Sequence, residues 1–377
     1  MAKIVFTGGC TAGHVFPITA IIREMKKLKP GSSSAMQVYY VGPKDDYSCQ
    51  ALSKEGALFK FIIAGKLRRY FDLKNVLDFF KIPIGFFQSL WFLFWLAPDL
   101  IFSTGGYGSI TVCLAGKLLG IPIFLHESDS IPGLASKIES KWAKEIFTSF
   151  PKTKNLPPNK VLNVGNPVRA SLFSGQKAEG KRIFNIVGGR PLLLVLGGSQ
   201  CSQSINNLII DILPELIGDF EIVHQTGRRN LKEVKLQTDF VIEERRLKPF
   251  YHLIDFIEED SLRHILAACD LVVSRAGAST LFEIAALSKP AILIPLTGSA
   301  QGHQLENAYQ FAEVGGGEVI AEENLTTHFF LEKIRFLLSR PGLLQEMGRN
   351  AHSFAKLKAA EIIANYLIDY LYQTLST

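Results

Sequence analysis

The residues best suited to chemistry lie in a short glycine-rich stretch near the start of the chain, Gly8–His14. It follows the apolar run Ile4–Phe6 and precedes a helix-like run, so its small residues let a ligand approach backbone amides at a helix start. His14 is a candidate base, because imidazole accepts a proton near neutral pH. The alternative is a histidine that only hydrogen-bonds at a helix start. The stretch is neither a P-loop nor a GxGxxG fingerprint, which disfavours a dehydrogenase.

Two further polar groups follow apolar strands in the first half of the chain. Ser103–Ser109 combines glycines with one tyrosine, which is typical of either a phosphate or sugar cradle or a simple tight turn. His126–Asp129 follows an apolar run, and polar residues at the carboxyl end of a strand usually belong to the site in parallel sheets. Because no second histidine or carboxylate group has ligand spacing, a metal site is disfavoured.

The second half of the chain repeats this design. An apolar strand leads into Gly197–Gln200, whose amides and Ser199 hydroxyl suit a diphosphate. Ser274–Glu283 ends a strand and begins a helix, which places an anion-binding N-terminus near a carboxylate that can hold both hydroxyls of a ribose. For Glu283, the alternative is an ordinary acid in the first turn of a helix. Gln301–Gln304 offers uncharged donors to sugar hydroxyls. Without an Asp-x-Asp to hold a divalent ion, amides and helix dipoles must neutralise the leaving diphosphate.

Strands that alternate with helical patterns must position these groups. Their spacing is typical of βαβ units and predicts doubly wound parallel sheets of the α/β class. The predicted strands are 4–6, 37–41, 100–103, 121–126, 146–148, 192–196, 221–226, 253–256, 271–274, 291–295 and 317–320. A loop-rich stretch near Gly165–Pro167 separates two Rossmann-like domains: residues 1–167, with residues 350–377 packing back on them, and residues 168–349. Since ligands bind beyond the carboxyl ends of such strands, we expect the active site in an interdomain cleft.

Composition narrows the classes of function. The chain has 377 residues, 47% of them hydrophobic and 20% charged, which excludes a disordered or fibrous protein. A net charge of +6 is too small for a nucleic-acid binder but permits an anionic ligand or membrane surface. The five cysteines are scattered and form no CxxC, which argues against disulfides and zinc. Because the first strand begins almost at Met1 with no secretory h-region, we expect the protein to stay in the cytoplasm.

One aromatic stretch stands apart from the rest of the sequence. Ile82–Pro98 is uncharged, rich in Phe and Trp, and shorter than the about 20 apolar residues of a membrane span. Basic residues precede or flank it at Lys60, Lys66, Arg68, Arg69, Lys74 and Lys81. The pattern favours an interfacial segment on an anionic membrane, and the alternative is a buried core helix.

These motifs, in this order, resemble the MurG family of bacterial N-acetylglucosaminyltransferases, which make lipid II from lipid I. The family's Gly-Gly-Thr-Gly-Gly-His-x-x-Pro is similar to Gly9–Pro17, and its His-Glu-Gln-Asn is similar to His126–Asp129. Five further family blocks are intact, namely Gly-Gly-Tyr-x-Ser, Gly-Asn-Pro-Val-Arg, Gly-Gly-Ser-Gln, Ser-Arg-x-Gly-Ala-x-Thr-x-x-Glu and His-Gln-x-x-Asn-Ala, at Gly105–Ser109, Gly165–Arg169, Gly197–Gln200, Ser274–Glu283 and His303–Ala308. The resemblance spans about residues 4–340.

The resemblance implies a GT-B glycosyltransferase that needs no metal or other cofactor. UDP-N-acetylglucosamine (UDP-GlcNAc) would lie on the C-terminal domain, and the undecaprenyl-pyrophosphate-linked acceptor, lipid I, on the N-terminal one. The implied donor contacts are Thr11, Ala12 and Gly13 from the first loop, Arg169 and Ser199 at the diphosphate, the Ile257 backbone at the uracil, Ala278, Ser279, Thr280, Leu281, Phe282 and Glu283 at phosphate and ribose, and Gln304 at sugar hydroxyls. The resemblance also implies a peripheral protein on the cytoplasmic face of the inner membrane, with proteins of cell-wall synthesis and division as partners.

The implied reaction is a single inverting displacement in which His14 or Asp129 deprotonates the 4-hydroxyl of the acceptor N-acetylmuramic acid (MurNAc). Cys10 and Ala12 replace family glycines in the first loop, and Cys201 replaces a glycine after Ser-Gln. Asp129 replaces an asparagine at a donor-sugar position. Because an ionised Asp only accepts hydrogen bonds whereas Asn also donates them, Asp129 either holds a sugar hydroxyl or shares the role of base.

Two other functions are compatible with the same motifs. A UDP-sugar transferase acting on diacylglycerol would share the fold, although the first-half loops favour lipid I. A non-catalytic scaffold on the membrane would bind UDP-GlcNAc without releasing UDP in the presence of lipid I.

Overall fold

The computed structural model describes residues 2–9, 11–28, 36–65, 74–197, 202–244, 248–298 and 302–375. The chain divides into unit 1, which comprises Met1–Arg169 and Lys356–Thr377, and unit 2, which comprises Ala170–Ala355. Each unit contains one sheet in which every strand pairing is parallel. The predicted α/β class is therefore confirmed, whereas the cleft expected between the domains stays a prediction.

Unit 1 contains a seven-stranded sheet. Its strands are β1 (Ala2–Thr7), β2 (Met36–Gly42), β3 (Leu58–Phe61), β4 (Leu100–Ser103), β5 (Ile123–Glu127), β6 (Glu145–Thr148) and β7 (Val161–Asn163). Their order is β3-β2-β1-β4-β5-β6-β7. β2 and β3 are therefore added on one side of β1, and β4 to β7 on its other side. The loops after β1 and β4 therefore lie side by side, which is where ligands bind in such sheets.

Helices cover both faces of this sheet, as parallel strands require. The first five are α1 (Ala12–Leu28), α2 (Asp46–Ser53), α3 (Lys74–Leu96), α4 (Ile110–Leu118) and α5 (Leu134–Glu139). Two apolar clusters result: Ile4 and Phe6 pack with α1, whereas Val5 and Ile101 pack with α3 and α4. Alternate residues of β1 thus enter opposite faces, as the two-residue period of a strand dictates.

Unit 2 repeats the architecture with six strands in the order β10-β9-β8-β11-β12-β13. The strands are β8 (Leu192–Leu196), β9 (Glu221–Gln225), β10 (Tyr251–Ile254), β11 (Leu271–Ser274), β12 (Ala291–Leu293) and β13 (Gly317–Val319). The helices are α6 (Lys177–Ile183), α7 (Gln203–Asp219), α8 (Leu231–Glu244), α9 (Glu259–Ala268), α10 (Ala278–Ala286), α11 (His303–Glu313), α12 (Thr327–Leu338) and α13 (Pro341–Phe354). Here the strand order reverses between β8 and β11.

The last helix, α14 (Ala359–Leu375), belongs to unit 1. Ile363, Leu367 and Leu371 are buried in the same cluster as β1 and α1. The units meet in sequence at 169/170 and 355/356, whereas the sequence analysis placed these boundaries at 167/168 and 349/350. The second boundary lies later because α13 packs on unit 2 through its last residue, Phe354, whose ring contacts Phe282 and Phe311.

The helix α3 is longer than the uncharged stretch from which it was predicted. It begins eight residues before Ile82 and continues through Pro83, which lies inside the helix. By length and composition alone, its segment Asp78–Leu96, which starts before the uncharged stretch, is long and apolar enough to cross a membrane. Only 17% of that segment is buried within the protein, which also excludes a core helix.

Candidate active site

The first glycine-rich loop of unit 1 is shaped by close packing. A side chain on Gly8 would collide with the Thr104 hydroxyl, and one on Gly9 would collide with the His14 ring. These glycines are therefore needed so that the loops after β1 and β4 can approach each other. Thr11, Ala12 and Gly13 follow at the start of α1 and are half-buried, whereas Cys10 lies outside the described residues.

His14 is held in one tautomer. Its Nδ1 lies 2.8 Å from the backbone oxygen of Thr104, and because a carbonyl can only accept, Nδ1 carries the proton. Nε2 of the neutral ring is then the basic nitrogen. Burial lowers the pKa of His14 from 6.5, while the hydrogen bond to Thr104 and the charge of Asp129 oppose this shift. His14 is therefore a neutral imidazole at pH 7, which is the form that a general base requires.

The end of β5 and the loop that follows it contribute two interacting carboxyl groups, Glu127 and Asp129. The Asp129 amide donates to Glu127 Oε1 at 2.9 Å, and burial, followed by the charge of Asp129, raises the pKa of Glu127 to about 8. Glu127 is therefore mostly protonated at neutral pH. The charge of Asp129 thus acts on His14, whereas the role of either residue as the base stays a prediction.

His126 and Arg169 are buried and contact other residues of unit 1. His126 is fully buried, its Nε2 lies 3.2 Å from the Ser149 hydroxyl, and burial lowers its pKa to about 3. It stays neutral and structural. Arg169 is also buried in unit 1, where its guanidinium stacks 3.6 Å from the centre of the Phe16 ring. Its predicted contact with the donor diphosphate stays a prediction.

In unit 2, the start of α10 provides an anion-binding position. Gly277 precedes the helix without a side-chain cap, so the first backbone amides point outward at the positive end of the helix dipole. The Ser274 and Ser279 hydroxyls are buried and lack a hydrogen-bond partner within the described part of the chain. Buried polar atoms are normally paired, so both hydroxyls are available to a further hydrogen-bond partner.

Glu283 lies in the second turn of α10 and is 5% exposed. This placement excludes the alternative of an exposed acid in the first helical turn, and a buried carboxylate requires hydrogen-bond donors. The side chains of Leu281 and Phe282 are buried in the core of unit 2, so any ligand contact by these two residues would be through the backbone. Thr280, between Ser279 and Leu281, is half-buried.

Arg275 was not singled out from the sequence, although it directly follows β11 and lies within the motif Ser274–Glu283. Its buried guanidinium donates to the Ser202 hydroxyl, the Ser204 hydroxyl and the Glu322 carboxylate. Partial burial raises the pKa of Glu322, but hydrogen bonds from Ser204, Arg275 and Thr297 together lower it to about 2. This network fixes the start of α7 beside the loop after β11. Its partners are far apart in sequence, so no local pattern indicated it.

Two more predicted donor residues, Ile257 and Gln304, follow the carboxyl ends of β10 and β12 in unit 2. The Gln304 side chain accepts from the Leu296 amide at 3.0 Å, and the Ile257 amide donates to Gln225 at 3.0 Å. Ile257 also lines a hollow of about 390 Å³, together with Asn185 and other residues of unit 2. Ser199 lies outside the described residues. Among the described residues, no three His, Cys, Asp or Glu side chains come together to hold a metal.

Two family models match the chain, one in each half. The glycosyltransferase family 28 N-terminal domain matches residues 4–148, and the glycosyltransferase family 28 C-terminal domain matches residues 192–365. Two parallel α/β units that carry these site residues define the class as a GT-B glycosyltransferase.

Curated relatives narrow this class. A Treponema denticola protein named UDP-N-acetylglucosamine--N-acetylmuramyl-(pentapeptide) pyrophosphoryl-undecaprenol N-acetylglucosamine transferase is 36% identical over 389 residues, covering 98% of both chains. A Clostridium kluyveri protein of the same name is 34% identical, covering 97% of this chain and 100% of the relative. The chain belongs to the MurG family of N-acetylglucosaminyltransferases, which confirms the resemblance drawn from its motifs.

Solved structures share the fold. Acinetobacter baumannii MurG superposes with a TM-score of 0.73 at 21% identity, covering 98% of this chain and 100% of that one. A S. aureus MnaA–UDP co-structure superposes with a TM-score of 0.72 at 12% identity, covering 99% and 97%. At these identities the likeness concerns the fold alone.

Proposed function

We propose that this protein transfers N-acetylglucosamine from UDP-GlcNAc to the 4-hydroxyl of MurNAc in lipid I, which yields lipid II for peptidoglycan synthesis. The observation that carries the proposal is the full-length similarity to relatives named for this transfer. The local geometry supports it, because unit 1 presents a neutral imidazole and unit 2 presents a helix N-terminus near a buried carboxylate.

Most of the residues that hold the donor belong to unit 2, and Arg169 belongs to unit 1. The diphosphate accepts hydrogen bonds from the first amides of α10 and from the Ser279 hydroxyl, with Ser199 and Arg169 as further diphosphate contacts. Glu283 accepts hydrogen bonds from both ribose hydroxyls. The uracil occupies the hollow beside Ile257. Because the Ile257 amide already donates to Gln225, its carbonyl oxygen is the atom that accepts from the uracil imide.

The chemical step is a single displacement with inversion. Nε2 of His14 removes the proton from the MurNAc 4-hydroxyl as that oxygen forms a bond to the anomeric carbon of GlcNAc. The bond from that carbon to the phosphate oxygen breaks, and UDP leaves with the electron pair. Thr11, Ala12 and Gly13 approach the donor from the first loop, and Gln304 binds its sugar hydroxyls. Positioning and the amides of α10 supply most of the acceleration.

The exposed face of α3 holds the protein on an anionic membrane surface, on the cytoplasmic side where UDP-GlcNAc is available. Phe87, Trp91 and Trp95 are mostly exposed on this helix, whereas Ser89 and Leu93 are buried against unit 1. A helix with one face packed on protein lies in the membrane interface more readily than across the bilayer.

Incubation of the purified protein with labelled UDP-GlcNAc and a short-chain lipid I analogue tests the proposal. We expect labelled disaccharide product and equimolar UDP. Glu283→Gln should raise the KM for UDP-GlcNAc by about 10-fold or more, because hydrogen bonds to a charged group contribute roughly 1.5–3 kcal/mol. The KM for the lipid I analogue should change little.

Two results would contradict this function. Transfer to diacylglycerol but not to the lipid I analogue would identify a different acceptor. Binding of UDP-GlcNAc without release of UDP in the presence of the analogue would identify a non-catalytic scaffold.

A further inference from the structure

A carboxyl group that the proposed reaction does not use is buried at the end of α5. Glu139 is 0% exposed, and burial of a carboxyl is costly unless its oxygens are hydrogen-bonded. Its Oε2 accepts from the Ser103 hydroxyl at 2.6 Å, and its Oε1 accepts from the Ser109 hydroxyl at 2.5 Å. We propose that Glu139 is a positioning residue for His14. Its carboxyl binds Ser103 and Ser109, which flank the loop of residues 104–108, and this loop orients the His14 ring.

Ser103 and Ser109 connect the Glu139 carboxyl to the backbone of the loop between them. Ser103 is the last residue of β4, and its hydroxyl oxygen accepts from the Gly105 amide at 3.0 Å. Ser109 precedes α4, and its hydroxyl lies 2.8 Å from the Gly106 carbonyl oxygen. The Glu139 carboxyl therefore holds Ser103 and Ser109, the two residues that flank the loop of residues 104–108. Gly105 and Gly106 both have positive φ values, and because glycine has many accessible backbone conformations, the contacts at both ends of the loop are needed to select this one.

The same loop contacts His14 on two sides. The Thr104 carbonyl oxygen accepts from His14 Nδ1, and the Thr104 hydroxyl donates to the His14 carbonyl oxygen at 3.2 Å. A Cβ on Gly106 would lie 3.2 Å from His14 Nε2, so the Gly106 backbone borders the nitrogen that acts as base. A shift of the loop would thus move the carbonyl that selects the tautomer and alter access to the basic nitrogen.

The groups around the Glu139 carboxyl determine which substitution keeps both serines hydrogen-bonded to residue 139. Burial raises the pKa of Glu139 to about 7, while hydrogen bonds from Ser103, Ser109 and Cys113 oppose the shift. Glutamine keeps one acceptor and adds one donor. If the amide donates to Ser109, that hydroxyl can donate to the Gly106 carbonyl instead. Glutamine can therefore connect both serines, whereas leucine has a similar volume and connects neither.

The test compares Glu139→Leu with Glu139→Gln by kinetics and by NMR of the histidine rings. We expect Glu139→Leu to lower kcat about 10- to 100-fold, which is typical of a misplaced catalytic group. Its thermal stability should fall, because the buried Ser103 hydroxyl loses its acceptor, so kcat is measured at a temperature where both variants are fully folded. Glu139→Gln should stay within about threefold of the wild-type kcat. The KM for UDP-GlcNAc should change less than twofold in both variants.

Long-range ¹H–¹⁵N correlations report which ring nitrogen of His14 carries the proton, with the signals assigned by their loss in His14→Gln. We expect the single Nδ1–H tautomer in the wild type and in Glu139→Gln, and a mixture of tautomers in Glu139→Leu. Glu55→Leu is the matched control, since Glu55 is another buried carboxyl of unit 1, paired with Arg23 rather than with the loop. It should lower thermal stability without changing the tautomer or kcat.

Wild-type tautomer and kcat in Glu139→Leu would overturn the proposal, as would equal losses of kcat in Glu139→Leu and Glu55→Leu. The kinetic arm rests on the proposed function, but the NMR arm does not. If the wild-type protein failed to glycosylate the lipid I analogue, the proposed function would fail while the tautomer measurement still decided the role of Glu139.

Discussion

At the scale of single residues, His14 and Asp129 are the two candidates for the general base. The effect of the Asp129 charge on the pKa of His14 allows an experiment to distinguish them. If His14 is the base, activity is lost as pH falls through its lowered pKa, so the acid limb of the kcat/KM profile lies below pH 6.5. Asp129→Asn removes a charge that raises the pKa of His14, and the acid limb should then move to still lower pH. His14→Ala should lower kcat by about 10²- to 10⁴-fold.

Rate profiles of both variants with the lipid I analogue provide the measurement. His352→Ala is a suitable control, because His352 is exposed on α13 of unit 2. A loss of about 10²-fold or more in Asp129→Asn, together with a change under about threefold in His14→Ala, would assign the base to Asp129.

The raised pKa of Glu127 predicts how stability depends on pH. Between 4.5 and about 8, folded Glu127 retains a proton that the unfolded chain has released. Rising pH therefore favours unfolding over this window, by up to about 1.4 kcal/mol per pH unit for one proton. Glu127→Gln, which mimics the protonated acid, should flatten the fall in denaturation midpoint between pH 5 and 8. Parallel pH curves for the two proteins would show that Glu127 does not hold that proton.

Sequence patterns indicated candidate site residues from their position after a strand, and their roles stay predictions. His14, Asp129 and Glu283 all follow strand ends, where a parallel sheet exposes its ligand-binding edge. The residues that hold them were not identified. Thr104 contacts His14 across 90 positions, and Glu139 contacts Ser103 across 36, so only the folded chain shows these pairs.

At the scale of elements, α3 is the part of unit 1 whose role is most readily tested. Trp91 and Trp95 are 64% and 67% exposed and lie one turn apart. We expect Trp91→Ser combined with Trp95→Ser to reduce binding to vesicles containing anionic phospholipid by about 10-fold or more, because each aromatic side chain contributes roughly 1.5–3 kcal/mol when it leaves water. Co-sedimentation at several vesicle concentrations measures this change.

The helix α8 of unit 2 offers a matched control. Leu236 and Phe240 are 77% and 74% exposed and also lie one turn apart. Leu236→Ser combined with Phe240→Ser removes comparable exposed apolar surface and should leave vesicle binding unchanged. Equal losses in both double variants would mean that binding follows general surface hydrophobicity and not the position of α3.

Element prediction succeeded where strands are buried on both faces and was incomplete at sheet edges. The central strands β1, β4, β8 and β11 read as continuous apolar runs, which is typical of parallel strands covered by helices. The missed strands, β3 and β7, are both edge strands. β3 contains four residues of which three are exposed, and β7 has only three residues, so neither carries an apolar pattern long enough to recognise.

At the scale of the whole molecule, the course of the chain joins the two ends of the sequence in one folding unit. β1 lies at the start of the chain and α14 at its end, and both contribute to the core of unit 1, while the intervening unit 2 has a core of its own. The sequence analysis predicted this return from residue 350 onward, whereas only the chain from Lys356 onward belongs to unit 1, because α13 packs on unit 2. Mutations in each core should therefore destabilise different parts of the sequence.

Leu367→Ala tests this separation, because Leu367 is fully buried in α14 against the core of unit 1. The truncation should cost about 2–5 kcal/mol. Hydrogen exchange read by mass spectrometry should then accelerate in β1, β2 and α1, far along the sequence from the substitution, and much less in β8 and α7. Leu337→Ala, at a fully buried position of α12 in the core of unit 2, should give the reverse pattern. Faster exchange throughout the chain in both variants would show that the two cores unfold together, and the helix α14 would then stabilise the entire protein.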